Sequence, residues 1–376
     1  MVLNTLDRVA VVASAQTSWR EAWSGLQHVD LISRAVEGVL RGSGLRMQDV
    51  DVVIDCGSDV LDGRSISNCG FLGAMGANHK EESRVEEDGL FGAVYGTTKV
   101  AAGSAAVALI VAYSKPSESD VSGYYATLTE PFYQRALGLD HLGAAGLMAN
   151  QYLTSTDADE DALLQIAVEA WRKAGENPLV EMGAVPSRAD IEASDLVADP
   201  LRVLQISRPL DGAVAVLLAT ERVARRVTDR PVWITGMGSA MDNHFIADRA
   251  PGQLEACQAA ARMAVKRAGL TDVSGVGLAE VTAGSAAGEA MVVEALGFAA
   301  RGHAVDCYGD GATVLINPSG GALPADPIMA TGLVRLAEAS ERLAGRFGDD
   351  KVGSRAIVHG AGGLGMQNHC VFTLEV

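Results

Sequence analysis

The chain has 376 residues, 48% hydrophobic and 20% charged, an ordinary soluble globular composition with room for two domains or two halves of one. Its 47 acidic and 30 basic residues give a formal net charge of −17, which argues against nucleic acid and anionic membrane as partners. No apolar run reaches the about 20 residues that a bilayer span needs, and no leader pattern precedes the first strand, so a cytoplasmic protein is expected.

In chain order, Arg8–Ala15 reads as a strand and Asp30–Ser43 as an amphipathic helix. Gly44-Leu45 and a second strand over Asp49–Ile54 follow. Past the middle the series returns: a strand over Arg230–Met237, a helix over Gln253–Ala268, then Gly269-Leu270 and Asp272-Val273, then a strand over Val276–Val281. An offset of about 225 residues points to internal duplication, not to a short-repeat array. Further strands are expected at Ala106–Ala112, Ala213–Ala219, Thr313–Ile316, Ala356–His359 and Cys370–Glu375. Strands alternating with helices predict an α/β fold of two duplicated halves with mixed, mostly parallel sheets. The halves are expected at 1–225 and 226–376, divided in the charged segment Glu221–Asp229. Ser117–Gln151 is polar and tyrosine-bearing, with no strand periodicity. With Asn177–Asp199 it is read as a loop insertion at about 117–200, and long loops in compact folds are often functional.

Five cysteines (Cys56, Cys69, Cys257, Cys307, Cys370) show no CxxC pair and no metal-type spacing, which reads as free buried thiols in a reducing compartment. No metal is expected in this chain. The most informative segment starts at Ile316-Asn317-Pro318-Ser319-Gly320-Gly321, passes Asp326-Pro327 and ends at Ala330-Thr331-Gly332. It leaves a strand, crosses a glycine turn and opens a helix carrying Leu333, Leu336 and Ala337. Such a turn lets backbone N–H groups approach a ligand closely. The segment resembles the "NPSGG…GHP…ATG" signature of the thiolase superfamily. Ser207–Ala215 resembles the family's "DGAAA" turn. Phe132–His141 and Glu294–Phe298 resemble elements of its sterol-carrier-type and archaeal branch.

The resemblance covers nearly the whole chain and implies a thiolase-like fold acting on a coenzyme A thioester. A thiolase uses a cysteine acyl acceptor activated by histidine, plus a second base. In Arg84–Gly92 the nucleophile's place is taken by Gly89, so an acyl-cysteine there is excluded. The family's histidine in "HDxF" corresponds to Thr282, and the histidine before the second proline to Asp326. His359 stands where the C-terminal cysteine is expected. It ends an apolar strand before a glycine turn, a setting expected to present its ring to a site. His359, His141 and Asp326 are therefore the candidate catalytic groups; a helix N-terminal setting is expected to lower the Asp326 pKa. Asn317, Ser319, Gly320, Gly89, Tyr133 and Gly362 are candidate contacts to substrate or coenzyme A. Glu87 and Asp88 are read as solvated turn charges, and Cys56, Cys307 and Tyr308 as places for a relocated nucleophile.

Three functions follow from the resemblance. One is retro-aldol cleavage of an acyl-CoA thioester, which needs no covalent nucleophile. The second is direct thiolysis or acyl transfer, and the third a non-catalytic subunit scaffolding an active paralogue. The resemblance also implies a homodimer or thiolase-like heterodimer, with an interface over Tyr95–Ala112. It implies in addition a small zinc-ribbon/OB-fold partner, whose basic surface would offset the acidity of this chain.

Overall fold

The computed structural model describes residues 7–309, 311–347 and 352–376. The first half runs β1 (Val9–Gln16), α1 (His28–Ser43), β2 (Val52–Cys56), α2 (Leu72–Met75), β3 (Glu81–Val85), α3 (Gly89–Ala101) and β4 (Val107–Ser114). The segment that follows carries α4 (Val121–Thr127), α5 (His141–Ser155), α6 (Glu160–Glu176) and α7 (Arg188–Ala193), then a small ribbon of β5 (Leu196–Ala198) and β6 (Leu201–Arg202). The chain returns through β7 (Gly212–Thr220) and α8 (Glu221–Val227). The second half runs β8 (Val232–Met241), α9 (Glu255–Arg267), β9 (Leu278–Glu280), α10 (Ala286–Ala295), β10 (Leu315–Ile316), α11 (Thr331–Leu343), β11 (Arg355–Gly362) and β12 (Asn368–Glu375). No described helix is long and apolar enough to cross a membrane.

Local chemistry explains the repeated pattern. Asp30 accepts the Gln27 backbone N–H at 2.9 Å and starts α1, whose Leu31, Ile32, Ala35, Val36 and Val39 form one buried face. Gly44 and Gly269 both turn with positive φ, 69° and 72°, just past α1 and α9. The recurring Gly-Leu is thus a helix-ending turn, which glycine adopts without a Cβ penalty.

Ten strands form one sheet in the order β10-β9-β11-β12-β8-β1-β7-β4-β2-β3. Each half supplies five strands, and in each the spatial order is third, second, fourth, fifth, first. Pairing is parallel among β3, β2 and β4 and among β10, β9 and β11. It is antiparallel for β4 with β7, β7 with β1, β1 with β8, β8 with β12 and β12 with β11. The sheet is thus mixed, parallel at both ends and antiparallel across the middle, not mostly parallel. Returning strands β7 and β12 reverse direction beside their own first strand, and strand direction carries no residue-level signal.

Helices α3 and α11 lie against each other and against strands of both halves. One buried cluster therefore contains Ile54, Leu90 and Ile110 together with Leu278, Leu333 and Val358. The segment expected as a loop insertion carries helices α4, α5, α6 and α7, because Met148, Ala149, Tyr152, Leu163, Ile166 and Trp171 pack into the buried cluster that α9 and α10 share. The proposed interface segment Tyr95–Ala112 is corrected in part: β4 is wholly buried between β7 and β2, so it cannot pair with another chain. The open edge in this half is β3.

Candidate functional site

The ends of β9 and β11, the N-termini of α3, α5 and α11, and helix α4 converge on a cavity of about 130 Å³. Carboxyl groups reach it from Asp88 and Asp326, an imidazole from His141, phenols from Tyr124 and Tyr125, and hydroxyls from Thr282 and Ser207. Methionines and aliphatic side chains make the rest of the wall, with the glycine turn after β11 closing one side.

His141 is the first residue of α5, whose N-cap Asp140 accepts from Gly143 N at 2.8 Å. Its ring stacks on Tyr125, centroids 3.9 Å apart and planes at 18°. Burial lowers its pKa below the usual histidine range, so the ring is neutral at pH 7. Its Nδ1 is buried without a partner. The Tyr125 hydroxyl is pushed well above the ordinary phenol range by burial and by the nearby Asp326 carboxyl.

Asp326 is held from both sides. Ser207 Oγ donates to one oxygen at 2.8 Å and Thr331 Oγ1 to the other at 2.5 Å. The sequence argument placed its pKa low, from the helix N-terminus. Burial instead raises it and outweighs both hydroxyl donors, with Arg335 too remote to reverse the sign. Asp88 caps α3 by accepting from Leu90 N at 2.9 Å, and its other oxygen accepts from Gly332 N at 2.8 Å. The carboxylate thus clips α3 to α11. Burial, helped by Glu87 and Asp326, pushes its pKa up to about 7. Asp88 is therefore no solvated turn charge. Glu87 is also withdrawn, donated to by Asn368 Nδ2 at 2.8 Å. The Thr282 hydroxyl is buried at the cavity wall with no partner.

Of the residues expected at a site, His141, Asp326 and Gly362 line this cavity, and six do not. Gly89 opens α3, and its N–H donates to Met329 O at 2.8 Å. A Cβ there would lie 2.6 Å from Leu333 Cβ and 3.0 Å from Ala112 Cβ, so the position faces helix and sheet packing. His359 is fully buried and does not line the cavity: its ring meets His369 of β12 and Cys257 of α9 on the sheet face under α9. Asn317 and Ser319 are structural. Asn317 Oδ1 accepts from Val281 N at 2.6 Å, and Ser319 Oγ donates to Glu280 at 2.7 Å. Glu280 in turn pairs with the buried Arg335 at 2.9 Å. Gly320 is pressed on Ala174, where a Cβ would come within 2.5 Å. Tyr133 is 71% exposed, on an outer loop.

The thiols are also placed. Cys56 lies buried beneath α3 with its pKa raised by burial, and Cys307 Sγ points at Phe298 O at 3.6 Å. Tyr308 donates to Glu289 at 2.6 Å. Among the described residues no cysteine lines the cavity. The chain was expected to lack a metal-ligand cluster, yet Cys257, His359 and His369 meet in space. Their positions along the chain match no ligand spacing. Tyr125, Ser207 and Thr331 were missed as wall residues; the one usable signal was the paired tyrosine of an otherwise polar segment.

Residues 238–375 match the Thiolase C-terminal domain-like family. The chain is 28% identical over 375 residues to an acetyl-CoA acetyltransferase of Methanothermobacter thermautotrophicus, covering 95% of this chain and 97% of that protein. It is 24% identical to a steroid side-chain-cleaving aldolase of Thermomonospora curvata, over 82% of this chain and 83% of that one. Among solved structures, the Ltp2-ChsH2(DUF35) aldolase superposes with a TM-score of 0.83 at 20% identity, covering 99% of this chain and 98% of that chain.

Proposed function

We propose that this chain of the thiolase superfamily breaks or forms a carbon–carbon bond on an acyl-CoA thioester without an acyl-enzyme, by retro-aldol chemistry. One observation carries the reading: the cavity is lined by proton-transfer groups and by no thiol among the described residues. The relatives named for acyl transfer and for aldol cleavage support the class of substrate.

In the proposed reaction, neutral His141 takes the proton from the β-hydroxyl of a β-hydroxyacyl thioester. The Cα–Cβ bond breaks, the β-carbon leaves as a carbonyl, and the electron pair passes to the thioester as an enolate. The free Thr282 hydroxyl donates to the developing oxyanion. Asp326, whose pKa burial raises, is the proposed acid that returns a proton to Cα, and the imidazolium then restores Asp326. No proton or electron is left over. The cavity, at about 130 Å³, compares with the roughly 150 Å³ that admits benzene in an apolar core. The carbonyl fragment held inside is therefore short, and any larger body projects outward. A homodimer or thiolase-like heterodimer and a small zinc-ribbon/OB-fold subunit complete the proposed assembly. The DUF35-bearing aldolase of the same fold and the net charge of −17 support that arrangement.

The test is product analysis with β-hydroxyacyl-CoA and β-ketoacyl-CoA, with and without the small partner. Cleavage of the hydroxy thioester independent of free coenzyme A is expected, with His141→Ala and Asp326→Asn lowering kcat by about 10²–10⁴-fold. Cleavage of the keto thioester only when coenzyme A is added would establish thiolysis instead. Absence of turnover, with tight association to a cysteine-bearing paralogue, would establish the scaffold.

A further inference from the structure

The proposed reaction leaves one set of buried ligand-bearing side chains unused. Cys257 on α9, His359 on β11 and His369 on β12 are each fully buried, and one donor atom from each lies within 4.8 Å of the others. The register explains the meeting. His369 pairs with Ala361 and His359 with Val371, so the two imidazoles are diagonal neighbours on one face of the β11–β12 ladder. Helix α9 packs over β12 and brings Cys257 down on them. The rings stack with centroids 5.2 Å apart, and His359 Nε2 lies 2.9 Å from His369 Nδ1.

One fact sets this cluster apart from ordinary core packing. The His369 Nε2 atom is buried and has no hydrogen-bond partner, an expensive omission in an apolar setting. A buried thiol becomes a thiolate when a cation compensates it.

We propose that Cys257, His359 and His369 bind one thiophilic metal ion, Cu⁺ or Zn²⁺. Bonds of about 2.0–2.3 Å require the donors to draw in by less than about 1 Å. On binding, Cys257 releases its proton to solvent, and each imidazole keeps its single proton on the nitrogen turned away from the ion. The long 3.4 Å contact from Thr282 N to His359 Nδ1 is the bond that yields. Because Thr282 also lines the cavity, occupancy would be felt at its wall. Thiolate plus Cu⁺ leaves the buried site neutral, whereas Zn²⁺ leaves a net positive charge, so Cu⁺ is expected to be the tighter ligand.

The full chain, stripped with chelator under reductant, is titrated anaerobically with Cu⁺ and, separately, with Zn²⁺. One equivalent per chain and a raised Tm are expected. Cys257→Ala should weaken binding on the order of 100-fold or more, while Cys370→Ala, another buried thiol, should bind normally. A Co²⁺-loaded wild-type sample must show thiolate-to-metal charge-transfer absorption, a readout independent of any variant. Failure of both Cu⁺ and Zn²⁺ to bind, a Co²⁺ sample without that absorption, or undiminished binding by folded Cys257→Ala overturns the proposal.

Discussion

The side chain missing at Gly89 has two meanings. It leaves no thiol at the first turn of α3, and it lets α3 settle against Leu333 and Ala112, where a Cβ would be 2.6 and 3.0 Å from its neighbours. Gly89→Cys should therefore not restore acyl-enzyme chemistry. It should destabilise the fold by about 1–3 kcal/mol, as overpacking does, and intact mass after incubation with acyl-CoA should show no thioester adduct at that residue. The identity of the residue was legible from the aligned motif, but the direction of its Cβ was not. His359 shows the same limit. A strand end followed by glycines suggests exposure, yet alternation along β11 sends its ring under α9. His141 was legible because it closes Phe132–His141, the stretch that resembles a family element, and the structure places it at the first position of α5.

Between elements, Asp88 is the clearest coupling device, one carboxylate joining the first turns of α3 and α11. Its folded pKa of about 7 exceeds the ordinary 3.8, so the folded state holds a proton that the unfolded chain has released between those values. That contribution is fully present below about pH 3.8 and is lost as pH rises through about 7. Urea unfolding from pH 4 to 8 should show this component of decline, and Asp88→Asn should flatten it relative to wild type. An unchanged slope difference would refute the assignment. Sequence reading found α11 with its glycine-rich start, and read the start of α3 only as a turn. It could not find the clip, because 244 positions separate Asp88 from Gly332.

Across the molecule, duplication was legible as recurring strand, helix, Gly-Leu and strand, and the identical five-strand order in each half is its structural counterpart. What stayed hidden was how far the halves merge. Val9–Val11 pairs with Val232–Ile234 to make one sheet, and the cluster around Leu90 and Leu333 draws on both. Residues 1–225 and 226–376 expressed separately should each lack a cooperative thermal transition, since each would expose half of that shared interior. Co-expression should recover a folded complex, measurable by circular dichroism and amide dispersion.

Tyr124, Tyr125, Leu128, His141, Ala145 and Met148 all come from one excursion that contributes no strand to the ten-stranded sheet. Lineages could thus exchange this roof wholesale, and with it the shape of the cavity, while the wall residues Thr282 and Asp326 of the second half stay in place. Specificity in such a protein evolves by re-thatching, with little risk to the foundations.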